Sequence, residues 1–212
     1  MLKLKPEQKK VLEEIRKSEI FRDFYLAGGT CLLLRYGHRP SLDFDFFLLP
    51  DKVFSLEAYE NNLLKTFGGS NLRFLYRNPQ TLVFSLYGVT ISLFEYPYPL
   101  LREVEEIKGL LMASDEDIAC MKANAVSQRG LKKDFFDLWI LMNIHRWNLE
   151  DLLHMLREKY EEYNSLIFLK ALVYFEDAEK NRDFEEVESK WTTVKNFFKE
   201  LIRTYRFKDS GK

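Results

Sequence analysis

Two aspartates, Asp43 and Asp45, sit i, i+2 inside the run Ser41-Leu42-Asp43-Phe44-Asp45-Phe46. In an extended strand such residues leave the backbone on one face. The carboxylates then stand side by side, while Leu42, Phe44 and Phe46 point into a core. Like charges at that separation repel and raise each other's pKa unless a cation lies between them. Hard oxygen ligands favour Mg2+ or Mn2+, so the pair is a candidate metal site. A short way upstream, Tyr25-Leu26-Ala27-Gly28-Gly29-Thr30 closes an apolar stretch with a Gly-Gly pair. Glycines let a backbone approach a phosphate closely and aim N–H groups at it. Alone, an Asp-x-Asp is common on solvated strand faces and a Gly-Gly pair is usually a turn. In this order and spacing they point to metal-assisted phosphoryl or nucleotidyl transfer.

The elements that must position these residues are legible in part. Pro6 to Ser18 reads as a helix with Pro in its first turn and Val11, Leu12 and Ile15 on one face. A short strand over Phe24 to Ala27, a helix over Thr30 to Tyr36 and a strand over Leu42 to Leu48 should follow. Val53 to Phe67 reads as a helix closed by Gly68-Gly69. Three strands come next, Leu72 to Arg77, Thr81 to Leu86 and Val89 to Phe94, with tight turns at Asn78-Pro79 and Tyr87-Gly88. Tyr96-Pro97-Tyr98-Pro99 cannot continue a central strand and marks the expected boundary between an α/β domain, 1–97, and a helical domain, 98–212.

The helical half holds a second chemical cluster. A helix capped at Ser114 and ending near Gly130 places Lys122 and Arg129 on one face, two turns apart. The next helix begins near Lys132, with Asp134 in its first turn and Asp137 one turn on. Asp134 at a helix start is favoured by the dipole alone, and Asp137 could pair with Lys133 at i, i+4. Further helices follow from a cap at Asn148, from Asn164 to Phe175 and from Thr192 to Tyr205.

Taken together, the Gly-Gly and Asp-x-Asp segments resemble the polymerase-beta-like nucleotidyltransferase superfamily. The stretch from Ser114 to Met142, with Lys122, Arg129, Lys133, Asp134 and Asp137, narrows the resemblance to the AbiEii/AbiGii toxin nucleotidyltransferases. The resemblance implies an α+β fold: a nucleotidyltransferase-type mixed sheet with flanking helices, followed by a mostly helical C-terminal half. It implies Asp43, Asp45, Lys122 and Asp134 as catalytic residues, with Asp43 and Asp45 holding Mg2+ (or Mn2+). Gly28, Gly29, Thr30, Arg39, Arg129, Lys132 and Lys133 are the expected nucleotide-binding residues. In this scheme Gly29 and Thr30 donate to the β and γ phosphates of an NTP and Lys122 neutralises charge on the transferring group. Asp134 orients or deprotonates the attacking hydroxyl, while Lys132 and Lys133 steer an anionic acceptor. The superfamily's third carboxylate falls on Ser92, and Glu95 has the opposite strand parity.

The implied role is that of a toxin in a toxin–antitoxin or phage-defence system, with an antitoxin as protein partner and an RNA acceptor such as a tRNA 3′ end. Two other readings fit the same aspartates: a small-molecule nucleotidyltransferase of the aminoglycoside-modifying kind, and an NTP-binding module without turnover. The net charge of −1 excludes duplex binding by mass phosphate neutralisation. Local clusters at Arg35, His38 and Arg39 and at Arg129, Lys132 and Lys133 suffice for a triphosphate. No apolar run approaches membrane-spanning length, so no membrane is expected. Cys31 and Cys120 are isolated, which points to a reducing cytoplasm.

Overall fold

The computed structural model describes residues 4–69 and 71–205, and the chain divides into two compact units, Met1–Ser114 and Asp115–Lys212. The first is a seven-stranded mixed sheet with flanking helices and the second is helical.

The first unit opens with α1 (Pro6–Lys17), which buries Val11, Leu12 and Ile15 as its apolar spacing requires. A 3-10 turn over Glu19–Asp23, which has no periodic signal, leads into β1 (Phe24–Ala27). Next come α2 (Gly28–Tyr36), β2 (Phe44–Leu48) and α3 (Leu56–Phe67). β3 (Arg73–Asn78), β4 (Thr81–Leu86) and β5 (Val89–Phe94) form a meander. Tyr87 (φ 51°) and Gly88 (φ 82°) make the β4–β5 connection. Positive φ at both central residues is the type I′ geometry that matches strand twist.

The sheet order is β3-β4-β5-β2-β1-β7-β6. β6 (Glu105–Ile107) and β7 (Leu110–Met112) are joined by a second turn of that kind at Lys108 and Gly109. Both strands were missed in the sequence, because three-residue strands are too short to show a period. β7 pairs parallel with β1, so the sheet runs on past residue 97 and the first unit closes at Ser114 rather than at the Tyr-Pro segment. Two boundaries also move. Val53 is 85% exposed and lies ahead of α3, and Leu42 is 45% exposed and lies outside β2 rather than in the core.

Along β2 burial alternates: Phe44, Phe46 and Leu48 are buried and Asp45 and Phe47 are half-buried. β4 alternates in the same way, with Leu82, Phe84 and Leu86 buried. One face of the sheet is therefore the core of this unit, and the other carries Asp45.

The second unit contains α4 (Asp115–Gln128), α5 (Lys132–His145), α6 (Leu149–Lys159), α7 (Ser165–Ala171), α8 (Glu176–Glu179), α9 (Glu185–Glu188) and α10 (Trp191–Thr204). Asn148 and Asp151 form the expected capping box on α6, each side chain accepting from the other's backbone N–H. Phe135 on α5 meets the rings of Phe175, Trp191 and Phe198 at 5.3 to 5.8 Å, which fixes the start of α5 in the core. No helix among the described residues is long and apolar enough to cross a membrane.

Candidate functional site

Gly28 and Gly29 open α2, directly after β1. The first amides of a helix have no intrahelical acceptor and sit at the positive end of its dipole, which makes this turn an anion site in waiting. Gly28 has φ +69°, and a methyl group there would stand 3.2 Å from Oδ2 of Asp45. The carboxylate therefore lies against the glycine turn, as β1–β2 pairing of Ala27 with Asp45 dictates. A methyl at Gly29 would meet the Arg39 guanidinium at 2.6 Å and Oγ of Ser41 at 3.0 Å. Arg39, at 2% exposure, is a buried cation packed over the turn, with Nη1 donating to the Pro40 carbonyl at 2.7 Å.

Asp43 is exposed and precedes β2 rather than lying in it. Its position depends on two anchors. The Thr30 hydroxyl donates to the Asp43 carbonyl, and Gln8 on α1 donates from Nε2 to the carbonyls of Ser41 at 2.8 Å and Leu42 at 3.2 Å. This corrects the expectation for the Thr30 hydroxyl: the side chain is buried and its one proton is committed, so it positions Asp43, and only the backbone N–H of Thr30 is left as a donor to phosphate. Gln8 was missed in the sequence. Its only signal was a capping-box position in α1, where its Oε1 accepts from the Lys5 N–H at 3.0 Å. Arg35 turns to Glu105 at 3.4 Å.

Gly28→Ala is expected to cost about 1–2 kcal/mol, because a left-handed φ disfavours a Cβ and the methyl crowds Asp45. The melting temperature of the variant, read by calorimetry, should fall below that of the wild type.

Ser92 pairs directly with Asp45 across the parallel β2–β5 ladder and is 7% exposed. The position of the missing third carboxylate is thus beside the pair. Glu95 lies three residues further along, about 10 Å at the usual strand rise, beyond the last β2–β5 pair of Phe47 with Phe94. It does not replace the missing acid. Among the described residues no group of three or more Asp, Glu, His or Cys side chains is placed to hold a metal ion.

In the second unit, Lys122 on α4 sits between two fully buried acids of α5. Its Nζ is 3.3 Å from Oδ1 of Asp134 and 2.7 Å from Oδ2 of Asp137. Arg129 binds Asp134 through one edge of its guanidinium, Nε donating to Oδ2 and Nη2 to Oδ1, each at 2.9 Å. Asp137 therefore pairs with Lys122 across the helices, not with Lys133 along its own. Burial pushes the Asp134 carboxyl up, but the Lys122 charge and the hydrogen bonds and charge of Arg129 outweigh it, holding the group below its ordinary value of 3.8. This corrects the role expected for Asp134. A buried, doubly paired carboxylate of lowered pKa is a poor proton acceptor, so it positions Lys122 and Arg129.

Because this folded carboxyl titrates below its unfolded value, its stabilisation is fully present above about pH 4 and is lost as pH falls through the folded pKa. Arg129→Gln removes two of the bonds that lower the pKa. Acid unfolding, followed by denaturant titration across pH, is expected to begin at higher pH in that variant than in the wild type.

The two lysines of the second motif part ways. Lys132 is buried, its Nζ 2.7 and 2.9 Å from the Glu188 carboxylate on α9, so it is a structural cation and not a phosphate ligand. Lys133 is half-buried, with no ion pair among the described residues. It and Arg129, whose side chain is 54% exposed, are the cations of this motif that face solvent.

A family model described as the nucleotidyl transferase AbiEii toxin of type IV toxin–antitoxin systems matches residues 10–81 and 92–209. An uncharacterized protein of Aquifex aeolicus (strain VF5) is 47% identical over 207 residues, 97% of this chain and 98% of its own length. Two Helicobacter pylori crystal structures share the fold. A nucleotidyltransferase candidate has a TM-score of 0.52 at 19% identity, covering 96% of this chain and 100% of its own. JHP933 has a TM-score of 0.53 at 18% identity, covering 96% and 95%.

Proposed function

We infer the reaction from a family premise: the chain belongs to the AbiEii nucleotidyltransferase toxins. We propose that it moves an NMP from an NTP to an acceptor hydroxyl in an Mg2+- or Mn2+-dependent reaction, with an RNA 3′ end such as that of tRNA as acceptor. Its proposed setting is a toxin–antitoxin pair, with the antitoxin as protein partner.

One observation carries this reading. Asp45 lies against the Gly28 turn at the start of α2, so a carboxylate and a row of helix-start amides converge on one spot. The donor set fits a hard divalent cation that keeps few protein ligands and completes its shell with phosphate oxygens and water, as Mg2+ does. Held by Asp43 and Asp45, such an ion would supply Lewis-acid activation of the α-phosphorus and neutralise the leaving pyrophosphate. The amides of Gly28 and Gly29 would bind the phosphates, and Arg39 adds positive charge behind them. In the second unit, Lys122, held by Asp134 and Asp137, is the proposed catalytic cation, and Arg129 and Lys133 are the residues proposed to attract an anionic acceptor.

Those two cations offer nothing to a polycationic acceptor of the aminoglycoside kind. An NTP-binding module without turnover is favoured by Ser92 opposite Asp45, and the same experiment separates it. With Mg2+, each α-labelled NTP in turn and total tRNA, label in RNA identifies a nucleotidyltransferase and its nucleotide. Mg2+-dependent NTP binding with no transfer to RNA, protein or small-molecule acceptors identifies the binding module.

A further inference from the structure

The sheet face that carries Asp45 continues into a run of aromatic rings. Phe47 lies two residues beyond Asp45, and Phe94 two beyond Ser92, so all four share that face. Phe47 stacks on Tyr25 at 5.8 Å and on Phe94 at 5.2 Å. Tyr96 meets the edge of Phe47 at 5.3 Å, and Tyr98 meets Tyr96 at 4.8 Å. The run ends in a cleft of about 240 Å3 whose walls include Leu48, Pro50, Tyr96 and Tyr98, with Lys52 and Glu95 among its polar groups. Tyr98 is 39% exposed.

We propose that this cleft holds a base of the single-stranded RNA acceptor, a few nucleotides from the reacting end. This rests on the nucleotidyltransferase reading above. A planar base suits a slot walled by tyrosine and proline rings, since every base offers a π-face for stacking. The polar groups complement its edge: the Glu95 carboxylate accepts from exocyclic or imino N–H groups, and the Lys52 ammonium donates to carbonyl or ring nitrogen. Placement agrees. The cleft begins about 10 Å along β2 from Asp45, and stacked bases are spaced about 3.4 Å apart. A strand whose end lies at Asp45 therefore passes over Phe47 and Phe94 and reaches the cleft with roughly its third base. A proline-rich peptide also fits aromatic slots, but it does not account for the charged groups or for continuity with the transfer face.

The test measures RNA binding without NTP or divalent cation. Fluorescence anisotropy of a short labelled single-stranded RNA would compare wild type with Tyr98→Ala and Tyr98→Phe. Tyr98→Ala is expected to weaken affinity roughly 5- to 100-fold, the range of one lost stacking contact, and Tyr98→Phe to keep most of it. Photo-crosslinking of 4-thiouridine RNA to the wild type, read by mass spectrometry, should mark the peptide around 95–99 whether or not the variants fold. Equal RNA affinity in Tyr98→Ala, crosslinks elsewhere, or displacement of RNA by nothing while a proline-rich peptide protects the tyrosines would overturn the proposal. The transfer assay stands apart. A wild type that moves no label sinks the reaction, whereas transfer with an uncrosslinked cleft sinks only the base site.

Discussion

The double variant Asp43→Asn/Asp45→Asn is expected to lose nucleotidyl transfer by about 10³-fold or more while keeping its fold. Lewis-acid stabilisation by a bound cation is worth several kcal/mol, and each 1.36 kcal/mol is a factor of ten in rate. Asparagine keeps the size of each side chain and removes only the charge. Asp43 is exposed and Asp45 half-buried, so the substitutions leave the apolar core untouched, and the circular dichroism spectrum of the variant should match that of the wild type. Calorimetric titration with Mg2+ and NTP would show the binding lost together with transfer. Transfer that survives in the double variant would show that the metal, if any, is held elsewhere.

The second large effect concerns Lys122. Lys122→Met removes the ammonium that stands 2.7 Å from Asp137 and 3.3 Å from Asp134, both acids being fully buried. Breaking a buried pair from one side costs about 3–5 kcal/mol, enough to remove much of the stability of a domain of this size. Loss of activity in that variant alone would therefore prove nothing about chemistry. The informative protein is Lys122→Met/Asp137→Leu, in which the buried charge facing position 122 is also replaced by an apolar side chain. Denaturant unfolding should show most of the lost stability returned, since apolar replacement of a buried pair is often neutral. Activity should stay absent. Recovery of transfer along with stability would make Lys122 a structural residue.

The two clusters differed in how far their residue types could be read. Asp45 and Phe44 fall on opposite faces because strand parity is a local rule, and that rule needs no tertiary information. The same rule misplaced Leu42, since a strand's first residue depends on where its ladder ends. Lys132 and Lys133 are adjacent, equally basic and indistinguishable in a sequence. Only the approach of Glu188 from α9 makes one a buried ion-pair member and leaves the other facing solvent. Thr30 looked like a phosphate ligand beside two glycines, and the loop carrying Asp43 claimed its proton. Gln8 carried no functional signal, because its partners Ser41 and Leu42 are backbone carbonyls far along the chain.

What the amino-acid order determined by itself is what local sterics and periodicity control. These are the glycine turn that opens α2, the parity that sets Asp45 opposite Phe44 and Phe46, the capping box at Asn148, the tight turn at Tyr87-Gly88, and the family motifs built on those features. Tertiary structure alone decided which residues meet across the chain. It set Ser92 beside Asp45 and Glu95 out of reach, drew Lys122 between two buried acids, and added two short strands to the sheet. The physical reason is that burial and charge pairing are properties of neighbours in space. A carboxylate's pKa, and with it the choice between proton acceptor and anchor, exists only once those neighbours have arrived.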